Sequence, residues 1–176
     1  AAFGVRYPVG VTEELCATDA YVRSCEATVE QVTDGGVVLD RTVFYARSGG
    51  QPGDTGVLRW DGGETRVVDT VKEGGSPLHQ VEGVPLPVGA AVTAEIDWGR
   101  RHRLMRTHTA LHALSAVVFR DYHAKVTGGN MEPGIARMDF ELETIDADFG
   151  REVESKLNAE LDADRPVHVS FLPRTE

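Results

Sequence analysis

The chain has 176 residues, 41% of them hydrophobic and 26% charged, a balance that fits a soluble globular protein and excludes a disordered one. No apolar run approaches the length needed to cross a bilayer. A formal charge of -10 argues against a protein that coats nucleic acid, because phosphate binding is driven by Lys and Arg displacing counterions; it leaves room for an enzyme that grips one end of an RNA.

The opening AAFGVRYPVG has no basic segment followed by an apolar stretch, so the expected compartment is the cytoplasm. Cys16 and Cys25 are the only cysteines and are expected to be reduced, half-buried side chains rather than a bridge or metal ligands. Residues 24–44 read as a hairpin: CEATVEQV, the turn signal Asp34-Gly35-Gly36, then VVLDRTVFY. After the glycine-rich SGGQPGDTG, VLRW and TRVVDTV flank Asp61-Gly62-Gly63 as a second hairpin. A proline-spaced segment leads to VTAEID, where Val92, Ala94 and Ile96 share one face; this strand should close a small β-barrel.

From Asp97 the pattern changes. Residues 101–120 contain no glycine or proline, and Leu104, His108, Leu111, His112 and Ser115 recur at helical spacing, which predicts one long helix. Beyond Gly128-Gly129, Ala136, Met138, Phe140 and Leu142 alternate with charged residues as in a half-buried strand. A second helix follows with Phe149, Val153, Leu157 and Leu161 as its stripe and Asp146 or Asp148 at its start, and VHVSFL reads as a last β run. The expected class is α+β: a small antiparallel β-barrel domain over residues 1–97, carrying the glycine-rich motif, then an α+β domain over 98–176 with helices packed on an antiparallel sheet.

Two stretches carry chemistry. His108-Thr-Ala-Leu-His112 puts two imidazoles one turn apart on a helix face, where both can reach one ion. Thr109 stands where a metalloprotease has its glutamate base, which excludes that class. Two ligands do not close a zinc site, and on spacing alone the pair can equally be packed side chains. In Phe44-Tyr-Ala-Arg-Ser-Gly-Gly-Gln-Pro-Gly-Asp-Thr-Gly56, glycines allow the backbone to approach a ligand closely and Gln51 offers both a donor and an acceptor; an ordinary strand-to-strand loop has the same composition. Arg100, Arg101, Arg103 and Arg106 cluster around His102 as a positive patch on an acidic body.

Together the two stretches resemble the FYPxGGGQPxDxG signature and the RxHTAxH motif of the AlaX proteins and the editing domain of alanyl-tRNA synthetase. The order agrees, LHQVEG around His79 and IDWGRRHRLMR also look like family segments, and the resemblance spans residues 23–173. It implies a Zn2+-dependent hydrolase that removes a wrongly attached amino acid, serine and possibly glycine, from alanine tRNA. His108 and His112 would be metal ligands, Gln51 and Thr127 catalytic, and Gly49, Gly50, Gln51, Thr127, Arg103 and Arg106 substrate-binding. Asp54 is expected to order its own loop rather than to take part in catalysis. Arg47 and Ser48 stand where the family has a glutamate and a first glycine. The family's CxxxH-like motif, which supplies the remaining ligands after the last β run, is not within these residues, and Cys16 and Cys25 lie in the wrong half to replace it. The alternatives are a non-catalytic module that binds the tRNA acceptor end, and a metal-independent domain in which the two histidines merely pack.

Overall fold

The computed structural model describes residues 11–142, 144–168 and 170. They fall into two compact units, one of Ala1–Thr107 with Asn130–Ala136, the other of His108–Gly129 with Arg137–Glu176.

In the first unit, β1 (Glu13–Glu14) and a 3-10 turn (Leu15–Ala17) precede β2 (Ser24–Thr33), β3 (Gly36–Leu39), β4 (Arg41–Thr42), β5 (Gly56–Trp60), β6 (Gly63–Glu73), β7 (Ser76–Gly83) and β8 (Ala91–Ile96). Six of these form a closed barrel in the order β2, β3, β7, β6, β5, β8, every neighbouring pair antiparallel. Closure leaves no open edge in that sheet. Both expected hairpins are present, with Thr33 opposite Gly36 and Trp60 opposite Gly63. β8 is the closing strand, with Cys25 opposite Ala94 on one side and Leu58 opposite Ala94 on the other. Its alternation is as expected: Val92, Ala94 and Ile96 point into a core shared with Val29, Leu39, Phe44, Leu58 and Val67. Cys16 and Cys25 are free thiols, each half-buried.

β7 is absent from the sequence reading. It pairs with β6 through Gly74-Gly75, both in the left-handed region, and carries one polar side chain into the barrel. His79 is fully buried, its ring edge-on to Phe44 at 5.2 Å. Nδ1 lies 3.0 Å from the Val37 carbonyl, which can only accept, so Nδ1 carries the proton. The Thr42 hydroxyl, 2.8 Å away, then donates to Nε2.

α1 (Trp98–Tyr122) starts where Asp97 caps it: its carboxylate accepts the Arg100 N–H at 2.9 Å, and its carbonyl accepts the Arg101 N–H at 3.0 Å. The helix ends at His123, a left-handed residue whose N–H returns to the Phe119 carbonyl. β9 (Val126–Glu132) and β10 (Ile135–Phe140) form a two-stranded sheet; β9 was hidden in the sequence by Gly128-Gly129. In the second unit α2 (Ala147–Asp162) is capped by Asp146, which accepts the Phe149 N–H at 2.7 Å, with Asp148 in the first turn. Val153 and the half-buried Phe149 pack with Val118, Ala124, Tyr122 and Phe140, whereas Leu161 at the end of the expected stripe is exposed. Of VHVSFL, Val167, His168 and Ser170 lie in no strand, and the rest is outside the described residues. No described helix is long and apolar enough to cross a membrane.

Burial lowers His79 from 6.5 to about 4, so the ring is neutral in the fold and titrates normally only when the chain unfolds. Its contribution is present above pH 6.5 and lost as pH falls toward 4, where the unfolded state takes up a proton that the native state refuses. The amount is about 3 kcal/mol. In urea titrations, the stability difference between wild type and His79→Gln should shrink steadily between those two pH values. A constant difference would mean that the buried ring is not held neutral.

Candidate functional site

The glycine-rich motif is a built loop. Ser48 and Gln51 exchange backbone hydrogen bonds of 3.2 and 2.9 Å across Gly49 and Gly50, whose φ values are 56° and 80°. Positive φ at both central residues defines the type I′ turn that glycine makes without strain. Ser48 therefore sits at a flanking position that needs no glycine. Gln51 is buried at 6% exposure, and the loop's exit is tighter still: a Cβ on Gly53 would lie 2.1 Å from the Thr70 carbonyl oxygen.

Asp54 organises this loop, as expected. One carboxylate oxygen accepts the Tyr45 N–H at 2.7 Å, while the Asp54 carbonyl accepts the Thr70 hydroxyl at 3.0 Å. The same carboxylate takes the Arg101 guanidinium, with Nε at 3.0 and 2.8 Å from its two oxygens and Nη2 on one of them. Arg101 also donates to the carbonyls of Ala20 at 3.2 Å and Val43 at 2.8 Å. Both side chains are almost fully buried. Burial works against the guanidinium's charge, but the hydrogen bond and charge of Asp54 outweigh it and raise Arg101 above its ordinary value.

This corrects the reading of four arginines as one surface patch. Arg101 faces inward, and Arg100 spends an Nη2 on the Gly53 carbonyl at 3.2 Å. Arg103 and Arg106 remain exposed. A run of arginines on a helix does not reveal which one turns toward the body; the signal was the acidic Asp54, already read as a loop organiser, which needed a cation.

In the second unit, His108 and His112 stack on one face of α1, ring centroids 4.9 Å apart and 17° from parallel. Burial first, then the neighbouring His112, holds His108 below the usual imidazole value. A neutral ring is the form that binds metal. The donor set fits half of a tetrahedral zinc site, and among the described residues no group of three His, Cys, Asp or Glu side chains comes together around it. Thr127 is exposed on β9, beside the paired glycines; a Cβ on Gly129 would lie 2.8 Å from the Arg137 carbonyl oxygen, so the two strands run close there. The structure thus joins Gly49, Gly50 and Gln51 in one turn of the first unit, which also holds Arg103 and Arg106, and His108 with His112 in the second, which also holds Thr127.

The amino-acid sequence that builds this barrel and helix is similar to those of known proteins. The sequence profile of the tRNA synthetases class II (A) matches residues 13–100. The alanyl-tRNA editing protein AlaX-M of Methanosarcina barkeri is 42% identical over 173 residues, covering 94% of this chain and 71% of the relative. AlaX-M of Saccharolobus solfataricus is 38% identical over 169 residues with the same coverage. The alanine–tRNA ligase of Pyrobaculum arsenaticum is 42% identical over 171 residues, but the chain spans only 19% of its length. The chain belongs to the family formed by the AlaX editing proteins and the corresponding segment of alanine–tRNA ligases.

The ion pair that anchors the loop yields a double-mutant prediction. Asp54→Asn or Arg101→Met alone should each cost about 3–5 kcal/mol in urea unfolding, because each strands a buried charge. The double variant should recover a large part of that loss. Simple additivity of the two losses would show that the charges do not act as a pair.

Proposed function

We propose that the chain is an editing hydrolase that deacylates mischarged alanine tRNA, with seryl-tRNA(Ala) as the chief substrate and glycyl-tRNA(Ala) as a second. The observation that carries this reading is the stacked pair His108 and His112 in a chain 38–42% identical to AlaX-M proteins over 94% of its length.

The aminoacyl ester is intrinsically labile, so the protein has chiefly to hold it and admit water. In this reading His108 and His112 hold a Zn2+ ion together with ligands outside the described residues. Bound zinc supplies a Lewis acid and lowers the pKa of coordinated water. Gln51, fixed by the turn at Gly49 and Gly50, positions the ester end of the substrate, and Arg103 and Arg106 hold tRNA phosphates. Thr127 offers its hydroxyl to the serine side chain. A pocket cannot exclude alanine by size while admitting the larger serine, whereas a hydrogen-bonding partner discriminates between them. The exposed Arg103 and Arg106 would equally serve a second reading, a non-catalytic module that binds the tRNA acceptor end.

The test is deacylation of seryl- and alanyl-tRNA(Ala), with zinc measured in each preparation. His108→Ala should lose both metal and hydrolysis. Thr127→Val should keep its metal and lose roughly tenfold in preference for serine, the size of one hydrogen bond. Full hydrolysis by metal-free His108→Ala would overturn the zinc mechanism. A zinc-loaded wild type that binds tRNA and releases no amino acid would establish the binding module instead.

A further inference from the structure

The first unit carries a cluster of rings and cations that neither sequence motif includes. Trp98 opens α1, and one side of its indole is packed against the barrel core. The Arg23 guanidinium carbon lies 4.3 Å from the Trp98 ring centroid. His102, one helical turn on, stacks against the same indole at 5.4 Å and 23°, and Tyr21 meets it at 5.6 Å and 47°. Tyr21 is 63% exposed, and Arg23 and His102 are exposed too. Arg103 and Arg106 continue the same helix surface, with an Arg103 Nη1 3.9 Å from where a Cβ on Gly99 would sit. Successive steps of four residues from Trp98 to His102 to Arg106 keep these side chains on one stripe.

The cluster is held in place by the backbone. Asp19 accepts the Tyr21 N–H at 2.8 Å, Arg101 donates to the Ala20 carbonyl, and the Ile96 N–H donates to the Arg23 carbonyl at 3.0 Å. Asp19 and Asp97, which precede Tyr21 and Trp98, each accept a backbone N–H. In an acidic chain of net charge -10, exposed rings are interleaved at one place with Arg23, Arg103 and Arg106, none of which forms an ion pair among the described residues. Rings that stack bases irrespective of sequence, next to guanidinium groups that pair phosphates, are the chemistry of single-stranded nucleic-acid binding.

We propose that Tyr21, Arg23, Trp98 and His102 form a stacking platform for unpaired RNA nucleotides, with Arg103 and Arg106 on the adjoining phosphates. This rests on the tRNA substrate proposed above and assigns a positioning role, in which the platform sets where the RNA lies and takes no part in hydrolysis. Unpaired bases stack on the exposed rings of Tyr21 and His102. Trp98, braced against the core, keeps both rings from yielding.

Trp60 is the only other tryptophan, so Trp60→Phe leaves Trp98 as the sole indole reporter. In that background a short single-stranded oligoribonucleotide should quench Trp98 fluorescence, with an affinity that falls as salt rises. Tyr21→Ala and Arg23→Ala should each weaken binding about tenfold, the scale of one lost base stack, while Tyr21→Phe retains it. In deacylation, Tyr21→Ala should raise KM about tenfold and leave kcat unchanged. Absence of quenching, unchanged affinity in Tyr21→Ala, or equal competition by polyglutamate of matched charge would overturn the platform. Normal deacylation with an unaltered KM in Tyr21→Ala would overturn the platform and leave the hydrolase standing. Quenching of Trp98 in a protein that releases no amino acid would do the reverse.

Discussion

The first unit is organised around one buried ion pair. The Arg101 guanidinium meets the Asp54 carboxylate and two carbonyls, so a single planar group fixes the entry of α1, the exit of the glycine-rich loop, the start of the segment after β4 and the turn ahead of β2. A buried pair of this kind contributes little stability compared with apolar side chains of the same volume, because two charges must be stripped of water. What it supplies is direction. Guanidinium donors lie in fixed positions in a plane, and a helix start held by three of them has little rotational freedom. The Gly49-Gly50 turn, the close pass of Gly53 by Thr70 and the Tyr45 amide all depend on where the Asp54 carboxylate is held.

Much of the architecture could be read from the amino acids because local signals and tertiary demands agreed. Asp-Gly-Gly at two turns, strict alternation in β8, and an unbroken helical stretch after Asp97 each had one reading. The misses have physical causes. β7 begins with Ser76-Pro77 and carries His79 on a core-facing position, so its alternation is broken by a polar residue that only a buried Thr42 and a Val37 carbonyl make acceptable. β9 contains two glycines, which normally interrupt a strand and here permit the close approach of β10.

The site was legible in part. Spacing alone brought His108 and His112 to one helix face, and the stacked rings bear that out. The basic run before them was harder to read, since four arginines in seven residues look alike on paper. Arg101 and Arg100 turn out to belong to the loop's scaffolding, which leaves Arg103 and Arg106 as the exposed cations of that run. Tyr21 and Arg23 went unnoticed because their partner Trp98 is distant in sequence and their significance lies wholly in what they stack against.

The order of strands around the barrel also dictates when it can form. β8 lies between β2 and β5, so the two sheet edges it joins belong to segments made well before it. On a growing chain, β2 through β7 can pair only into an open ribbon, and Ala27 and Leu58 stay without their β8 neighbours until residues 91–96 have been synthesised. Pairings between such distant segments are slow, since the whole intervening chain must be closed into a loop first. Nascent chains halted ahead of β8 would expose two unsatisfied strand edges, the surfaces on which unfinished β proteins associate with one another.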